Sequence, residues 1–133
     1  MYSNTKIVTS LALMSLYDEG AFERTDPLSK FISSFGDMTV LKPDAQSAKD
    51  IEMSSSPIRI NHLLSHSAGL SYGFIEPNSI IDPIYNSSGI DALGQSSIDL
   101  EELCDLLSQQ PLAYEPGASR RYSFATDVCA RLV

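Results

Sequence analysis

Ser3-Asn4-Thr5-Lys6-Ile7-Val8, running on through Thr9-Ser10-Leu11-Ala12-Leu13-Met14-Ser15-Leu16 to Tyr17-Asp18-Glu19-Gly20, is the stretch on which the fold of this chain turns. From Lys6 to Glu19 the residues are good helix formers, and Gly20 supplies a C-terminal stop. The apolar set Ile7, Val8, Leu11, Ala12, Met14 and Leu16 covers more than one face. That pattern predicts a helix buried nearly all round in a sizeable protein. At its mouth Ser3 and Lys6 lie three residues apart, on one helical face, so the amine can reach the hydroxyl. A serine hydroxyl is a poor nucleophile until a neighbouring base takes its proton, and a partly desolvated lysine with a lowered pKa can be that base. The helix N-terminus adds positive potential and free N–H groups where an oxyanion would develop. In so serine-rich a chain the spacing alone carries little; its place at the start of an apolar helix gives it weight. The polar start holds a single Lys, and no small-x-small cleavage site follows the apolar run, which argues against a leader peptide.

Composition bounds the rest. The chain has 133 residues, 43% of them hydrophobic and 20% charged, which is the balance of a folded domain and not of a disordered tail. Nine Lys and Arg stand against 17 Asp and Glu, a net charge of −8, so no nucleic-acid or anionic-lipid partner is expected. Cys104 and Cys129 match no zinc or CxxC spacing and read as small buried apolar residues. No apolar stretch reaches the roughly 18–20 residues that a membrane span needs.

Further along, Asp26-Pro27 reads as an N-cap with Pro at the first helical position, opening a short helix through Phe31 and Ile32. Lys42 to Pro57 is dense in polar residues and reads as a surface loop. Ile58 and Ile60 flank Arg59 as a minimal strand, and Asn61 then caps a short helix, His62 to His66, that breaks at Gly69. Ser71 to Gln95 carries Gly, Pro, Asn and Ser throughout and is expected to be a long irregular excursion. Asp99 to Gln109 is an amphipathic helix, with Leu100, Leu103, Cys104, Leu106 and Leu107 on one stripe and Glu101, Glu102 and Asp105 opposite; Pro111 ends it. A Pro116-Gly117 turn leads to Arg120-Arg121-Tyr122-Ser123, and Phe124 to Val133 looks helical. That helix ends without a cap, so the chain is expected to be cut within an element.

Several of these segments together resemble the serine β-lactamase-like family, which includes class C β-lactamases, penicillin-binding DD-peptidases and family VIII carboxylesterases. The resemblance rests on Ser3-Asn4-Thr5-Lys6-Ile7-Val8 with its helix, on Asp26-Pro27-Leu28-Ser29-Lys30-Phe31, on Ile58 through His62-Leu63-Leu64-Ser65-His66-Ser67-Ala68-Gly69-Leu70, and on Pro116-Gly117 through Tyr122-Ser123. They occur in the family's order and span nearly the whole chain. The resemblance implies a mainly α piece, residues 1–133, of an α+β fold whose helices pack on an antiparallel sheet mostly absent here. It implies that Ser3 is the acyl-accepting nucleophile, Lys6 its partner in proton transfer, and Tyr122 the second general acid or base. The main-chain N–H of Ser3 would form half of an oxyanion hole. Which of Lys6 and Tyr122 takes the serine proton stays open. No cofactor and no metal are implied, and the substrate class is a small ester or amide.

Two departures shape the expectation. The family's second motif is Tyr-x-Asn, whereas Phe124 stands at its third position, a pattern closer to the esterase-type relatives. The third motif, a Lys or His followed by x-Gly on a strand, has no candidate in this chain. The expected function is therefore a serine hydrolase of esterase type acting through an acyl-serine, with the 133-residue piece inactive or nearly so and prone to self-association through exposed apolar surface. Its rival is a non-catalytic helical interaction module; within the enzyme class, β-lactamase, DD-peptidase and acyltransferase activities also stand. His66 is expected to serve structure, bonding free carbonyls at a helix end. The pair His62 and His66 lacks the Glu of a zinc motif, and Tyr72, Phe74 and Tyr85 are packing anchors or walls of a cleft.

Overall fold

The computed structural model describes residues 3–90 and 97–133. Helix α1 spans Asn4–Asp18. It closes where Gly20 adopts φ 78° and its N–H reaches the Tyr17 carbonyl at 2.9 Å, with the Ala21 N–H on Leu16 at 3.0 Å. This is the left-handed exit that glycine makes without a Cβ clash. The expectation of burial all round is corrected: among its described side chains only Leu13 is buried, while Ile7, Val8 and Leu11 are 64, 58 and 66% exposed. One face meets the rest of the chain through Leu13, Leu16 and Tyr17; the opposite face has no cover among the described residues.

Asp26 does not cap a helix. Its carboxylate accepts the Glu23 N–H at 2.9 Å and pairs with Lys30 at 3.0 Å, and only a 3₁₀ turn forms over Leu28–Lys30. Pro27 is extended, and the Leu28 N–H is drawn instead to the Ile58 carbonyl at 2.7 Å, so tertiary pairing takes the bond that a helix start would need. The polar stretch after Lys42 is a loop only in part. Strands β1, Thr39–Leu41, and β2, Ile51–Met53, pair antiparallel with Val40 opposite Glu52. On its other edge β1 exchanges bonds with Leu112, at 2.9 and 2.8 Å. All three residues of β2 are exposed, so no two-residue alternation marks it in the sequence.

Helix α2 spans Ile60–Leu64, starting just ahead of the expected Asn61 cap, because the His62 Nδ1 accepts the Arg59 N–H at 3.1 Å. Ile58 to Ile60 forms no strand; Arg59 makes only an isolated bridge with Pro27. After α2 the chain turns through Gly69 at φ 91°, where a Cβ would lie 2.5 Å from the Tyr114 carbonyl oxygen. The expected irregular excursion contains helix α3, Ile81–Ser87, with Ile81, Asp82 and Tyr85 buried; residues 91–95 of that excursion lie outside the described residues. Pro83 falls in the first turn of α3, where its missing N–H costs nothing.

Helices α4, Leu100–Ser108, and α5, Ala125–Leu132, form where the periodicity places them. Asp99 caps α4 by accepting the Glu102 N–H at 2.9 Å, and Glu102 returns the bond to the Asp99 N–H at 3.2 Å. Both cysteines are free and buried, and burial pushes each thiol up to about 12. Helix α5 is the hub, packing on α1, α2 and α4. No helix of the described residues is long and apolar enough to cross a membrane.

Candidate active site

The packing of α5 on α1 brings together two segments 119 residues apart in sequence. Ser3 stands at the N-cap position of α1, where a serine ordinarily turns its hydroxyl onto the free N–H groups of the first turn. Here its backbone is already helical, φ −63° and ψ −15°, and its hydroxyl makes no cap bond. The Ser3 Oγ instead lies 2.5 Å from the Tyr122 hydroxyl. One turn along, the Lys6 Nζ sits 5.2 Å from the centroid of the Tyr122 ring and 5.3 Å from that of Tyr72. The alcohol, the amine and the phenol expected from the sequence thus converge, and a second phenol joins them.

The electrostatics of Lys6 depart from expectation. Burial alone would lower its ammonium, but the polar contact with Tyr72 and the negative potential from Asp127 outweigh burial and hold it above the ordinary amine value. The expected lowered pKa is corrected: in this environment Lys6 is a cation seated against two phenol rings. Asp127, in the first turn of α5, is the carboxylate in question. Burial lifts its own pKa above the usual carboxylate value, and Lys6 opposes that rise.

Tyr122 is held from behind by His66. Their rings lie 4.9 Å apart at 36°. The His66 carbonyl accepts the Arg121 N–H at 2.8 Å, and the His66 Nδ1 accepts the Ser123 N–H at 3.3 Å, so the residues on either side of Tyr122 are both tied to His66. Burial, then the cations Arg120 and Lys6, depress the imidazolium pKa, which keeps Nδ1 free to accept. His66 therefore serves structure as expected, though by accepting from the Tyr122 segment and not by donating to helix carbonyls. Its φ of 55° is a strained turn, at the residue whose carbonyl and ring both bond the 121–123 segment.

Phe124 is buried and packs 4.7 Å from Tyr72. Tyr72, itself buried, stacks 5.5 Å from the exposed ring of Phe74. Tyr85, on α3, is buried in the core. Of the three aromatics named from the sequence, Tyr72 touches the Lys6 group, Phe74 extends that stack to the surface, and Tyr85 is a packing anchor. The role of Tyr72 beside Lys6 and that of Asp127 were missed. A tyrosine three residues beyond Gly69, in a stretch without periodicity, carries no spacing signal of its own.

The family model described as Beta-lactamase matches residues 1–133. The chain is 30% identical to Esterase EstB of Burkholderia gladioli over 98% of its length, covering 30% of that protein. It is 29% identical to Acyltransferase calJ of Penicillium decumbens over 94% of its length, covering 28% of that protein. Among solved structures, EstCE1, a hydrolase with promiscuous acyltransferase activity, superposes with a TM-score of 0.70 at 33% identity, over 91% of this chain and 28% of that one. The chain thus spans less than a third of the length of the relatives it matches.

Proposed function

Because the chain belongs to the Beta-lactamase family, whose members similar to it include an esterase and an acyltransferase, we propose that it carries the nucleophile of a serine hydrolase that cleaves carboxylic esters through an acyl-Ser3 intermediate. The observation that carries the reading is the 2.5 Å contact between the Ser3 and Tyr122 hydroxyls beside the Lys6 amine. The proposed reaction starts from Tyr122 as its phenolate, its own proton already given to solvent: the Ser3 oxygen bonds to the ester carbonyl carbon while the Ser3 proton passes to the phenolate oxygen. Collapse of the tetrahedral intermediate breaks the bond to the leaving alkoxide, which takes the proton from Tyr122. Water then attacks the acyl-enzyme by the same steps in reverse order, freeing the acid and Ser3. Lys6 stays an ammonium throughout and stabilises the phenol oxygen while it lacks a proton, in keeping with its raised pKa. The N-terminal N–H groups of α1 favour the developing oxyanion.

Phe124 supports an ester substrate over a β-lactam, since a buried phenyl ring offers no amide to a substrate. By itself the 133-residue chain is proposed to turn over substrate slowly or not at all, because it holds under a third of its relatives' length.

A fluorophosphonate ester followed by peptide mapping tests the reading. Ser3 is expected to be the modified residue, and Ser3→Ala to abolish labelling. In a longer protein that contains this chain, Ser3→Ala should lower p-nitrophenyl ester turnover by at least about 10³-fold. Equal labelling or turnover by both forms rejects the assignment. The second reading, an interaction module docking through the exposed face of α1, takes its place if Ser3 is inert in a folded longer protein.

A further inference from the structure

A second polar cluster lies directly behind the tyrosines. Asp82 is completely buried, and both of its oxygens are engaged. Its Oδ1 accepts Arg121 Nη2 at 2.8 Å and the Ser71 hydroxyl at 2.5 Å, and its Oδ2 accepts the Glu76 N–H at 2.6 Å. Arg121 also donates to the Ser71 hydroxyl at 2.9 Å, the Glu76 carboxylate at 3.1 Å and the Ser79 hydroxyl at 3.4 Å. A buried ion pair of this kind adds little net stability against an apolar pair of the same volume, because two charges must leave water. What a guanidinium fork does supply is fixed geometry.

Position in the chain shows what is being fixed. Arg121 immediately precedes Tyr122, and Ser71 immediately precedes Tyr72. Each pair turns one side chain back into the ionic cluster and the next forward onto Lys6. The two phenol rings stand 5.3 Å apart, and the Lys6 Nζ lies 5.3 Å from the Tyr72 ring and 5.2 Å from the Tyr122 ring. A weak backbone bond, the Phe124 N–H to the Ser71 carbonyl at 3.4 Å, joins the two segments directly. The strong, charge-assisted ties between them run through Arg121.

We propose that the Arg121–Asp82 pair, bridged by Ser71, is a positioning device that sets the separation of Tyr72 and Tyr122 and thereby seats Lys6 against both rings. Its meaning for catalysis rests on the function proposed above; its geometry does not. Burial pulls the Asp82 carboxyl upward, yet the Ser71 hydroxyl, the Glu76 amide and the Arg121 guanidinium together hold it below the usual carboxylate value.

The test separates the two ideas. The ε-CH₂ protons of Lys6, lying over two aromatic rings, should show an upfield ring-current displacement in the NMR spectrum of the wild-type chain. Asp82→Asn keeps the shape and removes the charge; it should erase most of that displacement and slow phosphonate labelling of Ser3 by about 10- to 100-fold, the cost of a misplacement near 1 Å. The amide signals of α4, remote from the cluster, should stay in place. Arg121→Lys, which keeps the charge but loses the fork, should fall between. A folded Asp82→Asn chain with unchanged Lys6 signals and labelling overturns the proposal; should that variant fail to fold, unchanged Lys6 signals in Arg121→Lys overturn it equally. Wild-type protein that is never labelled, but whose Lys6 displacement vanishes in Asp82→Asn, upholds the positioning device and sinks the nucleophile.

Discussion

A serine at the first position of a helix has two uses for its hydroxyl, and the backbone decides between them. An extended N-cap turns the oxygen onto the helix's own N–H groups; the helical dihedrals of Ser3 point it outward, where the Tyr122 oxygen waits at 2.5 Å. Tyr122 packs through its ring and reacts, on the proposed mechanism, through its oxygen, and the two can be separated. Tyr122→Phe keeps the contacts with His66 and Tyr72 and removes the proton acceptor. Phosphonate labelling of Ser3 should drop by about 10²–10⁴-fold, the usual worth of a positioned acid or base, while the thermal midpoint moves little. Labelling at the wild-type rate would transfer the proton to another group and return Lys6 to the role of base.

Among the elements, α4 and α1 show the two ways a helix is specified. Helix α4 is locally complete: a reciprocal cap between Asp99 and Glu102, acidic residues in the first turn, and one buried stripe of Leu103, Cys104 and Leu107. Asp99→Ala should therefore cost about 1 kcal/mol of folding free energy, the typical worth of a lost N-cap, read as a lower midpoint in urea with the slope unchanged. A change below a few tenths of that value would mean that packing alone holds the helix start. Helix α1 has no side-chain cap and apolar residues on opposing faces, so its orientation is set by what α5 offers, not by its own pattern. Helix α3 is the converse case. Its seven residues bury Ile81, Asp82 and Tyr85, but a stretch that short, with a buried charge and a proline in its first turn, shows no period to read.

For the whole molecule, α5 gathers the core while the outer face of α1 stays uncovered by the described residues. Ile7, Val8 and Leu11 form a contiguous apolar stripe of the kind that soluble surfaces rarely leave open. The chain should bind a hydrophobic dye and self-associate at high concentration, and the double substitution Val8→Lys with Leu11→Lys should suppress both without unfolding it. Sedimentation of a monodisperse monomer with no dye response would show that this face needs no partner.

Much of the candidate site was legible one residue type at a time. The Ser3–Lys6 spacing follows from helical geometry, and the Tyr122 segment stood out through its order after Pro116-Gly117. The helices α4 and α5 were legible because their apolar period is strong and local. Strand β2 was not, being exposed on both faces, and the Asp26 cap was misread because its helix start gave way to the bond between Leu28 and Ile58. The direction of the Lys6 pKa was not legible either, since burial was foreseen and its two phenols and Asp127 were not.

By itself the sequence determined the family, the mainly helical character and the three side chains of the candidate site, because motif order and local periodicity are written along the chain. Only the tertiary structure decided which phenols flank Lys6, that His66 and the Arg121–Asp82 pair hold them there, and which face of α1 is left open. Those are contacts between segments tens of residues apart, and their energies depend on burial and mutual charge, which exist only once the chain has folded.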